Sequence, residues 1–185
     1  MAAPHPLDPA AADLLAFWTA AGPQRWFRKD DAFDAEFRER FLPAHEAAGR
    51  GELAGWATSA DGALALLLLL DQFPRNAFRG SARSFATDPL ARTVAQAALA
   101  RGLDRQVAPE LRNFFYLPFM HSEWLPDQDL VLPLCEQLPG DAGRYAHIHR
   151  DIIERFGRFP HRNPLLRRVT THEEQAFLAA GGFAG

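Results

Sequence analysis

The chain has 185 residues and a formal net charge of -3, with 48% hydrophobic and 23% charged residues. This composition excludes an intrinsically disordered chain, and the negative charge argues against a protein that coats nucleic acid. The single cysteine, Cys135, excludes an intrachain disulfide and a C-x-x-C zinc or redox site. The amino terminus, residues 1–9, lacks the features of a signal peptide and no apolar run could span a bilayer, so we expect a cytoplasmic protein.

Helix start signals recur along the chain, each a capping residue or a proline at the first helical position. They lie at Asp8-Pro9, Asp30 or Asp31, Ser59, Asp88-Pro89, Pro109, Pro126, Asp141 and Thr171. The helix after Ser59 holds five leucines, Leu66 to Leu70, and we expect it at the centre of the fold because it is apolar all round. No stretch alternates as a strand does. The sequence predicts one all-α domain over residues 1–185, with its core at about 8–180.

Asp71 directly follows the leucine run, and its carboxylate needs a cation or a hydrogen-bond donor as partner. The residue before a proline disfavours the helical conformation, so Pro74 predicts that Phe73 leaves the helix and that Asp71 lies in its last turn. A carboxylate there faces the negative end of the helix dipole and loses solvation. Arg75 and Arg79 are close enough in sequence to compensate it. The group is either a structural Asp–Arg pair or part of a binding site.

The helix from about Asp141 to Phe156 places one histidine inward and one outward. Its predicted apolar stripe comprises Tyr145, Ile148, Ile152 and Phe156. His149 falls inside this sector, whereas His147 projects almost opposite and is expected in solvent. An inward histidine is commonly a core residue with a satisfied hydrogen bond. However, the helix runs into a loop dense in long donors, which indicates a shaped binding surface: Arg158, His161, Arg162 and Asn163.

The last third of the chain concentrates basic residues. Seven arginines and four histidines lie between Arg144 and His172, against two acidic residues, Asp151 and Glu154. Such a segment either creates a positive field suited to an anion or is a solvated basic face.

The segment from Phe119 to Trp124 carries a histidine and an acid two residues apart. His121 and Glu123 are candidates for an acid–base pair or for metal ligands, or else Ser122 is a helix cap and His121 a turn residue. The His-Glu-x-x-His spacing of helical zinc sites is missing, so we expect no metal. The chain also lacks a P-loop, a G-x-G-x-x-G motif and a G-x-S-x-G motif.

Three motifs together resemble a bacterial family that is catalogued as domain of unknown function 924. They are Asp71–Asn76 with Arg79-Gly80, Tyr116–Glu123, and His149–Asn163, and the resemblance covers roughly Asp8 to Leu178. It implies a tetratricopeptide-like fold, in which antiparallel helix hairpins stack into a right-handed superhelix. It implies no activity, because the family is known by its pattern alone. One motif departs from the family pattern, since Arg167 stands where the family has glycine, and this argues against a tight turn at Arg167.

We expect the three motifs to converge on one water-accessible hollow that binds an anionic small molecule. Its arginine clamp would be Arg75, Arg79, Arg158 and Arg162. His149 or His161 would act as general acid or base, with Asp71 or Glu123 orienting the imidazole. The remaining predicted ligand-binding residues are Asn76, His121 and Asn163. The sequence names no cofactor and no oligomeric state.

Two alternatives to an anion site stay open. Helix-hairpin stacks can present a groove to a peptide, and an arginine-rich groove could take an acidic segment. RNA binding through the arginine-rich last third is the third possibility, which the acidic net charge disfavours.

Overall fold

The computed structural model describes residues 6–184, which form helices and turns with no strand among them. Residues 1–5, part of the amino terminus predicted to lack a signal peptide, lie outside this range. The α-helices are α1 (Pro9–Ala21), α2 (Pro23–Trp26), α3 (Asp31–Gly49), α4 (Ala60–Leu67), α5 (Phe73–Ala77), α6 (Asp88–Ala100), α7 (Asn113–Met120), α8 (Leu125–Cys135), α9 (Ala142–Phe156) and α10 (His172–Ala179). Five 3-10 segments lie between them, at Ala54–Thr58, Ala82–Phe85, Asp104–Gln106, Pro109–Leu111 and Pro160–Arg162. The all-α prediction is confirmed.

The capping residues read from the sequence do begin helices. The side chains of Asp8, Asp30 and Ser59 each accept a hydrogen bond from a backbone N–H in the first turn of α1, α3 and α4. Thr171 and Glu174 form the complete capping box at the start of α10. Local sequence therefore sets these helix starts.

The leucine run forms the centre of the larger core, as predicted. Leu66 to Leu70 are at most 3% exposed, and the helix that carries them packs among α1, α3, α6 and α7. A smaller apolar cluster around Ile152, Ile153 and Phe159 joins α9 to the last segment of the chain. Within residues 6–184, no helix is both long and apolar enough to cross a membrane. The right-handed superhelix and the single-domain boundary stay predictions.

The buried face of α9 is rotated by about one residue from the predicted stripe. Tyr145 is 43% exposed, and the buried residues are Ala146, His149, Ile152 and Ile153. Packing against α8 selects this face, and Tyr145 lies outside it with the Arg144 guanidinium near its ring. The inward position of His149 and the exposure of His147 are confirmed.

The prediction that the helix ends before Pro74 is wrong. A π-helical turn, Leu68–Gln72, joins α4 directly to α5, and the Phe73 N–H donates to the Leu68 carbonyl five residues back. The Leu69 carbonyl thereby loses its α-helical donor, and that of Leu70 has none because proline lacks an N–H. Two side chains compensate: His45 Nδ1–H donates to Leu69 O at 2.8 Å, and Thr87 Oγ1–H donates to Leu70 O at 2.5 Å. The helix therefore continues, and Asp71 lies within its π-helical turn.

Candidate functional site

Residues of the central and last motifs line one open cleft of about 670 Å³, and the first motif joins them through the contact of Asp71 with His121. His121 of the central motif lies 2.8 Å from Asp71 of the first, measured from Nδ1 to Oδ1. Arg162 of the last motif lies beside Asp88, which follows the first motif in the chain. The cleft is lined by Phe85, Asp88, Pro89, Arg92, Thr93, Pro118, His121, Ser122, Glu123, Trp124, Arg162 and Leu166.

Asp71 and His121 form a buried pair at the base of this cluster. Asp71 is 1% exposed and accepts hydrogen bonds from Gln72 Nε2 at 2.6 Å and from His121. Burial opposes ionisation, but Arg75 and His121 outweigh it and hold the pKa of Asp71 below its ordinary value. A carboxylate only accepts, so His121 Nδ1 carries the proton. No hydrogen-bond partner from residues 6–184 meets Nε2 of His121.

Burial and the nearby Arg75 guanidinium lower the pKa of His121, so this imidazole is neutral at neutral pH. Its Nε2 is then a free acceptor on a residue that lines the cleft. A neutral histidine that a buried carboxylate orients in this way can take a proton from a bound molecule or a water. The sequence predicts His149 or His161 for this role, and it also gives His121 with Glu123 as a candidate acid–base pair.

Arg162 is the least satisfied cation of the cluster. Its side chain is 8% exposed, and its NH1 atom lies 3.6 Å from Asp88 Oδ2. The Asp88 carboxylate already accepts two bonds from Arg75, at 2.8 and 3.0 Å. The Arg162 guanidinium lies 4.6 Å from the centroid of the Phe85 ring and 4.5 Å from that of Phe159. Its Nε has no hydrogen-bond partner among residues 6–184. Burial and the charge on Arg75 lower the pKa of Arg162 to about 10.

Glu123 connects two segments of the chain through hydrogen bonds to its carboxylate. Its carboxylate accepts two bonds from Arg168, at 2.7 and 2.9 Å, and one from the Phe159 N–H at 2.8 Å. Burial opposes ionisation, but these donors outweigh it and keep the pKa of Glu123 below its ordinary value. Because its oxygens are occupied, we assign Glu123 to holding the bend that carries Arg162.

A tight turn does form at Arg167, contrary to the expectation from its missing glycine. Arg167 has a φ of 54°, in the left-handed region that glycine adopts without strain. The following N–H, that of Arg168, donates to Asn163 O at 2.9 Å. The bonds of Arg168 to Glu123 give the physical reason, because they hold the chain in this conformation.

The two histidines predicted as general acid or base, His149 and His161, are not among the residues that line the cleft. His149 Nδ1–H donates to Tyr145 O at 2.7 Å, and its ring lies 6.2 Å from that of His121, centroid to centroid. The Phe183 ring lies 4.6 Å from His149 and 5.6 Å from His161. Burial, and then the Arg162 charge, lower the pKa of each histidine to about 4. His149 is buried and His161 half-buried, and neither residue lines the cleft.

Four predicted binding residues point to other partners. Asn76 Nδ2 and Arg79 Nε each donate to Asp34 of α3, both at 2.6 Å. Arg158 forms two bonds with Glu174, at 2.6 and 2.9 Å, and Asn163 Nδ2 donates to the same carboxylate at 3.1 Å. Of the predicted arginine clamp, the structure therefore brings only Arg75 and Arg162 together.

Four arginines of the basic segment are paired with acids, most of which lie outside the segment. These pairs are Arg150 with Asp129 and Glu154, Arg155 with Glu173, Arg158 with Glu174, and Arg168 with Glu123. An extended positive field is therefore not present at this segment.

The sequence reading missed three residues of the site. Asp88 was read only as a helix start, although it is the shared acid of Arg75 and Arg162. Trp124 and Arg168 carried no local signal of their role. Among residues 6–184, no group of three or more His, Cys, Asp or Glu side chains is arranged to hold a metal ion.

Fold and site define an all-helical protein with a buried Asp–His–Arg cluster under an open cleft. Residues 14–182 match the family described as "Bacterial protein of unknown function (DUF924)", and the chain belongs to this family. The sequence is 55% identical to that of a protein of unknown function from Agrobacterium tumefaciens whose structure is solved. The match covers 92% of this chain and 97% of that chain, with a TM-score of 0.90. No curated protein matches the sequence.

Proposed function

We propose that the protein binds a small anionic molecule in the cleft, where Arg162 meets the anion and His121 serves as the acid–base group. The state of Arg162 is the observation that carries this proposal. Several buried polar atoms lack a partner within residues 6–184, and among them Arg162 Nε belongs to a residue that also lines this cleft. A buried guanidinium without a well-placed carboxylate costs free energy, which a bound anion would recover.

The charges around the cleft favour an anion with a single charge. Three carboxylates meet three guanidiniums: Asp71, Asp88, Glu123, Arg75, Arg162 and Arg168. The cluster is therefore balanced before a ligand arrives, and a phosphate dianion would leave two uncompensated negative charges. A carboxylate adds one, which protonation of His121 can offset.

The pairing with Asp71 suits His121 to proton transfer. Asp71 holds Nδ1–H, so Nε2 is the atom that exchanges a proton with a ligand or a water in the cleft. The Asp71 carboxylate also stabilises the imidazolium that forms. Gln72 and Arg75 fix Asp71 in turn, so the pair is oriented before the ligand binds.

An NMR titration of the arginine Nε–H groups tests the proposal. Acetate serves as the probe, and the resonance of Arg162 is identified by its loss in Arg162→Lys. We expect a saturable shift of this resonance in the wild type. Calorimetric titration should show about ten-fold weaker acetate binding in Arg162→Lys, since lysine keeps the charge but not the planar fork. Ionic strength is held constant with chloride.

Arg105→Gln is the matched control, because Arg105 is exposed on the 3-10 segment Asp104–Gln106. It should leave acetate binding unchanged. An Arg162 resonance that stays fixed up to about 100 mM acetate would contradict the proposal, because such weak binding has no specificity. The alternatives of a peptide-binding module and an RNA-binding protein stay predictions.

A further inference from the structure

We propose that the ligand is a carboxylate attached to a planar aromatic ring, and that this ring stacks on Trp124. This inference rests on the proposed function, because Arg162 is the anchor of the carboxylate. It adds the class of molecule that the rest of the cleft accepts.

The exposure of Trp124 is unlike that of every other tryptophan in the chain. Trp124 is 57% exposed, whereas Trp18, Trp26 and Trp56 are 0%, 5% and 9% exposed. An indole is a large apolar surface, and leaving it in water is unfavourable unless something covers it. Trp124 lines the same cleft as Arg162 and His121.

Trp124 is also held in place before any ligand binds. Its backbone N–H donates to Ser122 Oγ at 3.2 Å, and the Arg92 guanidinium lies 5.0 Å from the centroid of its ring. Arg92 is itself fixed by two hydrogen bonds to the buried carboxylate of Asp127. A ring positioned in this way loses little conformational freedom when a ligand stacks on it.

The remaining walls of the cleft suit the body of such a ligand. The apolar side chains that line it are Phe85, Pro89, Pro118 and Leu166. Arg92 is saturated by Asp127, so it does not compete with Arg162 for the carboxylate. An arginine that shares its nearest carboxylate, Asp88, with Arg75 and a flat aromatic surface in the same apolar-walled cleft match an aromatic carboxylate. Stacking adds affinity beyond the burial of area, which distinguishes a planar ring from a saturated one.

Calorimetric titrations with three probes test this inference: acetate, benzoate and cyclohexanecarboxylate. We expect benzoate to bind about ten-fold more tightly than acetate, with cyclohexanecarboxylate between them. Trp124→Ala should reduce benzoate affinity to that of acetate and leave acetate binding unchanged, whereas Trp124→Phe should retain most of the preference. Leu130→Ala is the matched control, because Leu130 is a 49% exposed apolar residue of α8, the helix that begins directly after Trp124.

Tryptophan fluorescence gives an independent readout. Because the other tryptophans are buried, iodide should quench mainly Trp124, and benzoate should protect it and shift its emission to shorter wavelengths. Trp124→Phe should lose this signal. If acetate shifts the Arg162 resonance but benzoate binds no more tightly than cyclohexanecarboxylate, the aromatic ligand class is wrong and the proposed function stands. If neither acetate nor benzoate shifts that resonance, both proposals are wrong.

Discussion

Two carboxylate clusters lie on either side of α5, and they differ in how fully the polar groups around them are paired by hydrogen bonds. In the first, Asp34 accepts from Asn76 and Arg79, both at 2.6 Å, so these donors are met. In the second, around Asp71, the neighbouring Arg162 and His161 each keep a buried nitrogen that meets no partner in the described part of the chain, residues 6–184. Buried polar groups are nearly always paired, so exceptions beside a cleft indicate a site. The difference separates a structural cluster from a candidate binding site.

The end of α5 explains why two arginines four residues apart belong to different clusters. Arg75 and Arg79 would share a face if the helix continued, which is how the sequence suggested one clamp. However, α5 ends at Ala77, and Arg79 lies beyond it, where its side chain meets Asp34 of α3. Arg75 instead meets Asp71 and Asp88.

The largest expected effect is on the free energy of unfolding, at the cluster around Asp34. Asp34→Ala should lower the free energy of unfolding by about 3 kcal/mol, because the buried Asn76 amide and Arg79 lose their shared acceptor. Urea unfolding followed by circular dichroism measures this change. Glu39→Ala is the control on the same helix, since Glu39 is exposed, and it should change the value by less than about 0.5 kcal/mol. A loss below about 1 kcal/mol in Asp34→Ala would contradict the structural role.

The second effect is the pH dependence of the free energy of unfolding, at the cluster around Asp71. An unfolded histidine titrates near 6.5, whereas the pKa of folded His161 is lowered to about 4 by burial and the Arg162 charge. Between these pH values the unfolded chain holds more protons, so stability is fully present above pH 6.5 and falls as the pH drops towards 4.

Replacing the histidine isolates this contribution. His161→Gln should reduce the acid-induced loss of unfolding free energy by about 2 kcal/mol, measured by urea unfolding at a series of pH values. His147→Gln is the control, because His147 is a histidine that stays exposed on α9. A curve for His161→Gln parallel to that of the wild type would mean that folding does not hold His161 neutral.

The smallest effect is at the turn that holds Arg168 on Glu123. Arg167→Gly should raise the free energy of unfolding by about 0.5–1 kcal/mol, because glycine adopts the left-handed conformation of residue 167 without strain. Gly157→Ala, at the left-handed end of α9, should change stability in the opposite direction. Destabilisation by Arg167→Gly would show that the arginine side chain contributes more than its backbone strain costs.

The helices could be read from the sequence because their signals are local. A capping side chain reaches a backbone N–H two or three residues away, as Asp30 and Ser59 do, so no tertiary information is needed. The inward position of His149 followed from helical periodicity in the same way. The continuation of the helix through Pro74 could not be predicted locally. It depends on side chains that are distant in sequence, His45 and Thr87, which donate hydrogen bonds to two carbonyls of the π-helical turn.

The sequence alone determined most of the helix starts, the buried leucine run and the family motifs, since each depends on residues that are neighbours along the chain or on one helix face. Only the tertiary structure decided which cation meets which acid. Asp71 and His121 are 50 residues apart, and the Asp34–Arg79 and Glu123–Arg168 pairs are each 45 apart. An ion pair has no local signature at such separations, because any of many Arg and Asp side chains could form it until packing brings two together.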